Sequence, residues 1–326
     1  MRVLITGAYG FIGVNLLRQA LRVTDWDFVL MDHEKHAAIE NILEIIENNK
    51  VAVSNRSIDH RRGDIRDPAA CHQACESVDA IVHLAAETNV VASQSDPQGV
   101  YETNVRGTLN LLMAACQAGV RGFVFASSNA AVGEVGEAVH EGIVPRPCSL
   151  YGASKLSGEA LCFAYDHCFP LQACVLRFAN VYGPFCQKKS SVVAQFIREI
   201  LREEPVTIYG SGEQTRDFTY VTDVCDALIQ VLEEMSDSGT NHSKAAGQVF
   251  QVGTGRKTRI IDLIETLRGV TGIDFPVVHA PERRGEIVAN WSSCAKIRET
   301  IGWSARTSLD EGVRKTWEWV KRRRII

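Results

Sequence analysis

Arg2-Val-Leu-Ile-Thr6 runs directly into Gly7-Ala-Tyr-Gly10-Phe-Ile-Gly13, and this passage from an apolar run to a glycine-spaced turn decides the fold. Val3–Thr6 reads as a short buried strand, and Phe11–Arg22 beyond the glycines carries its apolar residues at helical spacing. The same alternation continues downstream. Asp27–Met31, Ala80–Leu84, Gly122–Ala126 and Gln172–Arg177 read as strands, while Val100–Ala118 and Tyr151–His167 read as helices. Such alternation predicts an α/β fold, a doubly wound parallel sheet covered on both faces. Ala37–Asn49 reads as an extra helix after the second strand. After about residue 180 the pattern loosens. Strands at Val206–Tyr209, Asp217–Val221 and Val249–Val252 mix with helices at Val192–Arg202, Asp223–Glu233 and Ile260–Val270. Ser236–Ala246, small and polar, reads as a surface loop. Leu309–Arg323 closes the chain as a helix capped by Ser308, with Val313, Trp317 and Val320 on one stripe.

Composition narrows the function classes. A chain of 326 residues with 45% hydrophobic and 23% charged residues can bury a large core. A formal net charge of -4 gives no electrostatic footprint for nucleic acid. The basic run Lys321-Arg-Arg-Arg324 reads as a solvated helix end. No apolar run approaches the ~18 residues that a bilayer requires. The ten cysteines contain no CxxC pair. They read as reduced, mostly buried thiols of a cytoplasmic protein, with no metal site.

The glycine turn carries a chemical reading as well. Gly7 suits a tight turn, Gly10 lets the backbone approach a pyrophosphate, and Gly13 lets the helix pack against the strand. The amides that open the helix then face the phosphates. Asp32 ends the second strand, about 20 residues on, where a carboxylate accepts both ribose hydroxyls and repels a 2′-phosphate. That favours NAD over NADP, with His33 and Lys35 beside it weighing the other way. Far downstream, Tyr151-Gly-Ala-Ser-Lys155 places a phenol and an ammonium on one helical face, one turn apart. An ammonium beside a phenol lowers its pKa, which makes Tyr151 a candidate proton acceptor from an alcohol.

The GxxGxxG spacing together with Tyr-x-x-x-Lys resembles the short-chain dehydrogenase/reductase superfamily. More closely it resembles the extended branch of NAD-dependent nucleotide-sugar epimerases and dehydratases. Further matches are Gly63-Asp64-Ile65, His83-Leu84-Ala85-Ala86, Asn104 in Asn-Val-Arg-Gly-Thr, and Arg177-Phe-Ala-Asn180-Val-Tyr-Gly-Pro184. The resemblance runs from Met1 to about Val320. It implies a Rossmann-type sheet with a smaller mixed α/β substrate lobe. It implies NAD bound by Gly7, Gly10, Phe11, Ile12, Gly13 and Asp32, with Asp64 and Ile65 near the adenine. Leu84, Ala85, Ala86 and Asn104 would line the cofactor, and Tyr151 and Lys155 would meet the nicotinamide end. Ser128, Tyr151 and Lys155 are the catalytic residues it implies, with Ser128 facing the sugar and Ser127 bonding backbone.

For a nucleotide sugar the resemblance implies contacts from Ser128, Asn180, Val192, Arg216, Arg283, Glu286 and Asn290. Arg216 and Arg283 would hold the diphosphate as forked donors. Glu286 stands where the family commonly has an Asp on the ribose. Asn290 aligns with a sugar-pocket residue, where its medium size leaves room for a 2-acetamido group. Lys188 and Lys189 lie on the loop that closes over the substrate, where either could meet a C6 carboxylate or only solvent. Two departures matter. The 4,6-dehydratases place Asp and Glu directly after the catalytic Thr, and the UDP-glucuronate decarboxylases keep a Glu two residues after theirs. This chain has Asn129 and Ala130, and Val132 replaces the family's usual Tyr.

The reading that remains is hydride chemistry at C4 without elimination. It describes an NAD-dependent 4-epimerase of a UDP-hexose, either UDP-GlcNAc/GalNAc or UDP-glucose/galactose, with the uronate pair third. The alternatives are a reductase or dehydrogenase on a nucleotide-linked or free sugar, and an NAD-bound sensor without turnover. Residues 1–178 would form the NAD-binding domain, with part of 222–255 returning to it, and 179–326 mainly the nucleotide-sugar lobe. The helices Val100–Ala118 and Tyr151–His167 match those that pair two subunits in the family, which implies a homodimer.

Overall fold

The computed structural model describes residues 1–33, 39–48, 56–90, 92–186, 191–237, 242–282 and 288–323. Six strands are formed before residue 179: β1 (Arg2–Thr6), β2 (Asp27–Asp32), β3 (Ile58–Arg62), β4 (Ala80–His83), β5 (Gly122–Ser128) and β6 (Gln172–Phe178). Four short strands follow, β7 (Asn180–Tyr182), β8 (Val206–Tyr209), β9 (Thr215–Arg216) and β10 (Phe218–Tyr220). Then β11 (Gln248–Val252) returns to the main sheet, which runs β11-β6-β5-β4-β1-β2-β3 with every pairing parallel. This is the doubly wound sheet that the strand-helix alternation predicts. The strand order reverses between β1 and β4, so a crevice opens beyond their carboxyl ends, where α/β sheets bind ligands.

Alternation along each strand splits the core in two. Val3, Ile5, Phe28, Leu30, Val82, Val124 and Leu176 face one way, against helices Phe11–Val23 and Val221–Asp237. Leu4, Val29, Met31, Ile81, Phe123 and Val175 face the other, against Pro68–Cys75 and Gly107–Ala118. Both faces are apolar because parallel crossovers lay helices on each. A third cluster lies further along the chain, built from Tyr182, Val193, Phe196, Ile208, Leu263, Val313 and Trp317. It joins helices Val192–Leu201, Ile260–Thr271 and Leu309–Arg322 to the pairs β8–β12 and β7–β10, where β12 is Val277–Ala280. Gly312 lets the last helix close on Tyr182, since a Cβ there would run into its hydroxyl. The Ser308 cap is present, accepting from the Glu311 amide.

Local differences from the sequence reading have physical causes. β3 was not predicted, because Ile58-Asp-His-Arg-Arg62 is an edge strand with little apolar alternation. Helix Pro68–Cys75 was also missed, although Asp67 caps it and proline opens it. The predicted extra helix spans Ile39–Asn48, and residues 37, 38 and 49 of its predicted range lie outside the described residues. Val100–Ala118 is not one α-helix: Tyr101–Arg106 forms a π turn before Gly107–Ala118 continues. The described part of Ser236–Ala246 is not a simple surface loop, and residues 238–241 lie outside the described residues. Ser236 and Asp237 finish a helix, and Ser243, Ala245 and Ala246 are buried. There the Gly247 amide bonds the Ala173 carbonyl, and small side chains let the chain sit that close to β6.

Candidate active site

The glycine loop lies at the carboxyl end of β1. Gly7 has φ of 66° and presses on the next loop, so that a Cβ would lie 2.7 Å from the Ala85 amide nitrogen. Gly13 is packed equally hard, 2.6 Å from the Ala8 and Gly7 carbonyl oxygens by the same measure. Gly10 differs. A Cβ there would meet only the Gly7 carbonyl, and Gly10 caps helix Phe11–Val23 with no side chain of its own to accept from the first turn. Two glycines thus serve packing and one leaves open room at a helix N-terminus, which suits an incoming phosphate. At the end of β2, Asp32 accepts from the Tyr9 amide at 3.1 Å through one oxygen, and its other oxygen has no partner among the described residues.

A hydrogen-bonded chain ties this loop to the π turn. His83 at the end of β4 bonds Thr6 through Nδ1 at 2.7 Å and Thr108 through Nε2 at 3.0 Å. Thr108 donates its own proton to the Asn104 carbonyl at 2.7 Å. His83 therefore donates from Nε2 and accepts at Nδ1, a neutral tautomer, and burial pushes its pKa down to about 3. The Asn104 side chain clasps both backbone groups of Glu87 and donates to Ser154 at 2.9 Å, while Ser154 donates to the Tyr151 carbonyl. A π turn widens the helix at this point, and such turns recur at functional sites. His83 and Asn104 stood out only as parts of motifs; their link through Thr6 and Thr108 joins residues far apart in sequence.

Ser128, Tyr151 and Lys155 converge beyond β5. Helix Leu150–Cys168 starts at a Ser149 cap, and its Gly152 lies so close to the Ala130 carbonyl that a Cβ would overlap it. That contact brings Tyr151 beside Ser128, whose hydroxyl favours the ionised phenol and itself accepts from the Ala130 amide at 3.2 Å. Tyr151 keeps some exposure, yet desolvation pushes its pKa up to about 12, with the Ser128 hydroxyl opposing the shift. Lys155 is 3% exposed and donates to the Ala126 carbonyl at 2.7 Å. Burial lowers it to about 8, with Cys162 and Glu159 opposing. The expectation that the lysine makes the tyrosine acidic is therefore not met by the chain alone. The ammonium is engaged by β5, and loss of water around the phenolate dominates.

One helical turn below Lys155, Glu159 forms a forked ion pair with Arg177 of β6, at 2.9 and 2.6 Å, with both side chains buried. Ser127 donates to the same carboxylate. The Ser127 hydroxyl thus serves a side chain and not backbone, a correction to its expected role. The Lys155-to-Glu159 spacing was a readable signal, but its partner on β6 was not.

Asn290 is 6% exposed and joined to the turn that follows β5: Asn129 donates to its carbonyl at 3.0 Å. Val132 is buried, with its backbone carbonyl accepting from the Arg146 amide. Asn180 lies in β7, Val192 opens helix Val192–Leu201, and Arg216 lies in β9, bonding its neighbour's carbonyl. Asp64 is held by the Arg66 fork, which lowers its pKa, and Ile65 is buried against Gly107. Leu84, Ala85 and Ala86 follow β4 and are partly exposed. Arg283, Glu286, Lys188 and Lys189 lie outside the described residues. Among the described residues no helix is long and apolar enough to cross a membrane.

Comparison with known proteins gives a consistent picture. Residues 3–253 match the family described as the NAD dependent epimerase/dehydratase family. The chain is 32% identical over 328 residues to the UDP-glucose 4-epimerase of Mycolicibacterium smegmatis, covering 98% of this chain and 99% of that protein. It is 30% identical to the dTDP-glucose 4,6-dehydratase of Streptomyces niveus, covering 98% and 93%. Among solved structures, the UDP-glucuronic acid 4-epimerase of Bacillus cereus, in complex with UDP-glucuronic acid and NAD, superposes with a TM-score of 0.88 at 30% identity. That match covers 99% of each chain.

Proposed function

This chain belongs to the NAD dependent epimerase/dehydratase family, and from that membership we propose that it interconverts the C4 epimers of a UDP-hexose on tightly held NAD. The observation that carries this choice lies just past Ser128. Asn129 has both amide hydrogens engaged, with Asn290 and Ser292, and Ala130 has no proton to give. Expulsion of water from the sugar needs acid and base groups there, so the position speaks against a dehydratase. A dehydrogenase that exchanges its cofactor is the second reading, and the test below separates the two.

The cleft suits the cofactor: open room over Gly10 at a helix N-terminus, and an unpartnered Asp32 oxygen about one strand away. On this reading Gly7, Gly10, Phe11, Ile12 and Gly13 hold the pyrophosphate and Asp32 the adenosine ribose. Asp64 and Ile65 flank the adenine, Leu84, Ala85, Ala86 and Asn104 line the middle, and Lys155 holds the nicotinamide ribose. When bound, NAD supplies the hydride acceptor and returns the hydride within the same turnover. Tyr151 takes the 4-hydroxyl proton, directly or through Ser128, and gives a proton back to the 4-keto sugar after it has turned over in the site. Ser128 also donates to the developing ketone oxygen. Arg216 and Arg283 would hold the diphosphate, Glu286 the ribose, and Asn180, Val192 and Asn290 the sugar side. The substrate-binding lobe would begin at residue 179, and the protein would work in the cytoplasm as a homodimer.

The decisive experiment incubates the dialysed protein with UDP-GlcNAc, UDP-glucose and UDP-glucuronate, and resolves the two C4 epimers by NMR. Interconversion of one pair without added NAD is the expected result. Loss of NAD on dialysis, with net NADH from substrate once NAD is added back, would establish the dehydrogenase instead.

A further inference from the structure

We propose that Asn129 is a positioning residue that decides which end of the Asn290 amide faces the sugar, so that the site favours a hexose bearing an acceptor-only carbonyl oxygen. The inference rests on the UDP-hexose reading and narrows it. Asn129 follows Ser128 directly, so what it holds lies beside the reacting tyrosine. Its Nδ2 donates to Asn290 Oδ1 at 3.0 Å and to Ser292 Oγ at 2.9 Å, and the three residues are 4%, 6% and 1% exposed. The carbonyl end of Asn290 is thereby taken. Its Nδ2 has no acceptor among the described residues and, on a planar amide whose oxygen is turned to Asn129, points away from that residue.

The backbone gives the pair no freedom to drift. The Asn290 amide bonds the Thr215 carbonyl at 3.1 Å, and the Ser292 amide bonds Asp217 at 3.2 Å. Asp217 in turn accepts from Thr254 and Gly255 and is fully buried. Orientation follows from the unmet groups. As placed, Asn129 leaves one buried carbonyl oxygen without a donor. Turned over, it would leave two amide hydrogens orphaned in the same enclosed place and would rotate the Asn290 carbonyl toward the sugar. Each orphaned group gives up its water with nothing in return, so the present orientation wins.

A donor end rewards an oxygen that can only accept, either an acetamido carbonyl or a sugar carboxylate. A hydroxymethyl group can accept there too, but its own proton then finds no acceptor on Asn290. The test measures calorimetric affinities of NAD-loaded protein for UDP-GlcNAc, UDP-glucuronate and UDP-glucose, in a Tyr151→Phe background to stop turnover. We expect UDP-GlcNAc or UDP-glucuronate to bind about tenfold tighter than UDP-glucose, the worth of one good hydrogen bond. Asn129→Asp accepts from Asn290 Nδ2 and the Ser292 hydroxyl, turns the Asn290 carbonyl to the sugar, and should abolish the preference for UDP-GlcNAc. Asn129→Leu, of similar volume and uncharged, should bring both ratios toward one and serves as the arm for the charged sugar. Loss confined to UDP-GlcNAc assigns the oxygen to the acetamido group; loss confined to UDP-glucuronate in Asn129→Leu assigns it to the carboxylate. A purely structural role would weaken all three sugars alike, and unchanged ratios in both variants overturn the proposal. Because the readout is binding, a wild-type protein that holds these sugars without interconverting them refutes the epimerase reading while the ratios still decide this one.

Discussion

On the proposed mechanism Tyr151 has to ionise, and its surroundings oppose that: desolvation holds the phenol near 12 in the chain alone. Lys155 is aimed at the Ala126 carbonyl, so the residues by themselves do not supply the missing stabilisation. A positive charge arriving with oxidised nicotinamide would, and loaded enzyme should therefore show an acid limb in its kcat/KM profile well below pH 12. Tyr151→Phe should remove that limb and cut turnover by a factor on the order of 10² to 10⁴. Its affinity for UDP-sugar should stay close to wild type; full turnover in this variant would refute the assignment. At the other end of the cleft, the Asp32 carboxylate accepts one hydrogen bond, from the Tyr9 amide, and has a second oxygen without a partner among the described residues that could take a ribose hydroxyl. Asp32→Ser should weaken NAD and admit NADP, as fluorescence titration of both cofactors would show; an unchanged NAD-to-NADP ratio would place the ribose elsewhere.

Elements meet at His83, where the ends of β1 and β4 are bonded to the first turn of helix Gly107–Ala118. The folded protein keeps this imidazole neutral down to about pH 3, whereas an unfolded chain protonates it near 6.5. Below pH 6.5 the unfolded state thus binds the extra proton, so stability is lost as pH falls from 6.5 toward 3. The slope approaches about 1.4 kcal/mol per pH unit for this one group. Urea denaturation at pH 7 and pH 5 should show it. His83→Gln, whatever its absolute stability, should lose less between those two values than wild type does. An identical loss in both would mean that His83 is not the group responsible.

Across the whole molecule, the surface with the clearest use lies over the π turn and helix Leu150–Cys168. Tyr101, Val105, Leu109, Ala160 and Leu161 line a groove there, and Tyr101 and Met113 are about half exposed. We expect this surface, which Arg106 and Ser157 also line, to be where the protein associates. The expected occupant is the same pair of helices from a second copy, meeting about a two-fold axis. Light scattering should give twice the monomer mass, and Leu109→Arg should return it to the monomer. A wild-type protein that scatters as a monomer at micromolar concentration would rule this out.

Much of this protein was legible in the order of its residues. The parallel sheet followed from apolar periodicity, and the glycine loop, Asp32 and the Tyr151–Lys155 pair followed from local spacing. Those features depend on neighbours within a turn or a strand, and sequence records such neighbours directly. β3 escaped because an edge strand needs little apolar alternation, and the π turn because its residues keep a helical pattern. Ser127, Glu159 and Arg177 acquire their roles only when β5, β6 and a helix are brought together. Asn129 and Asn290 stand 161 residues apart, and only packing could make one hold the other. The charge states of Tyr151, Lys155 and His83 were likewise decided by tertiary structure, because desolvation depends on everything that surrounds a group and hardly at all on what adjoins it in the chain.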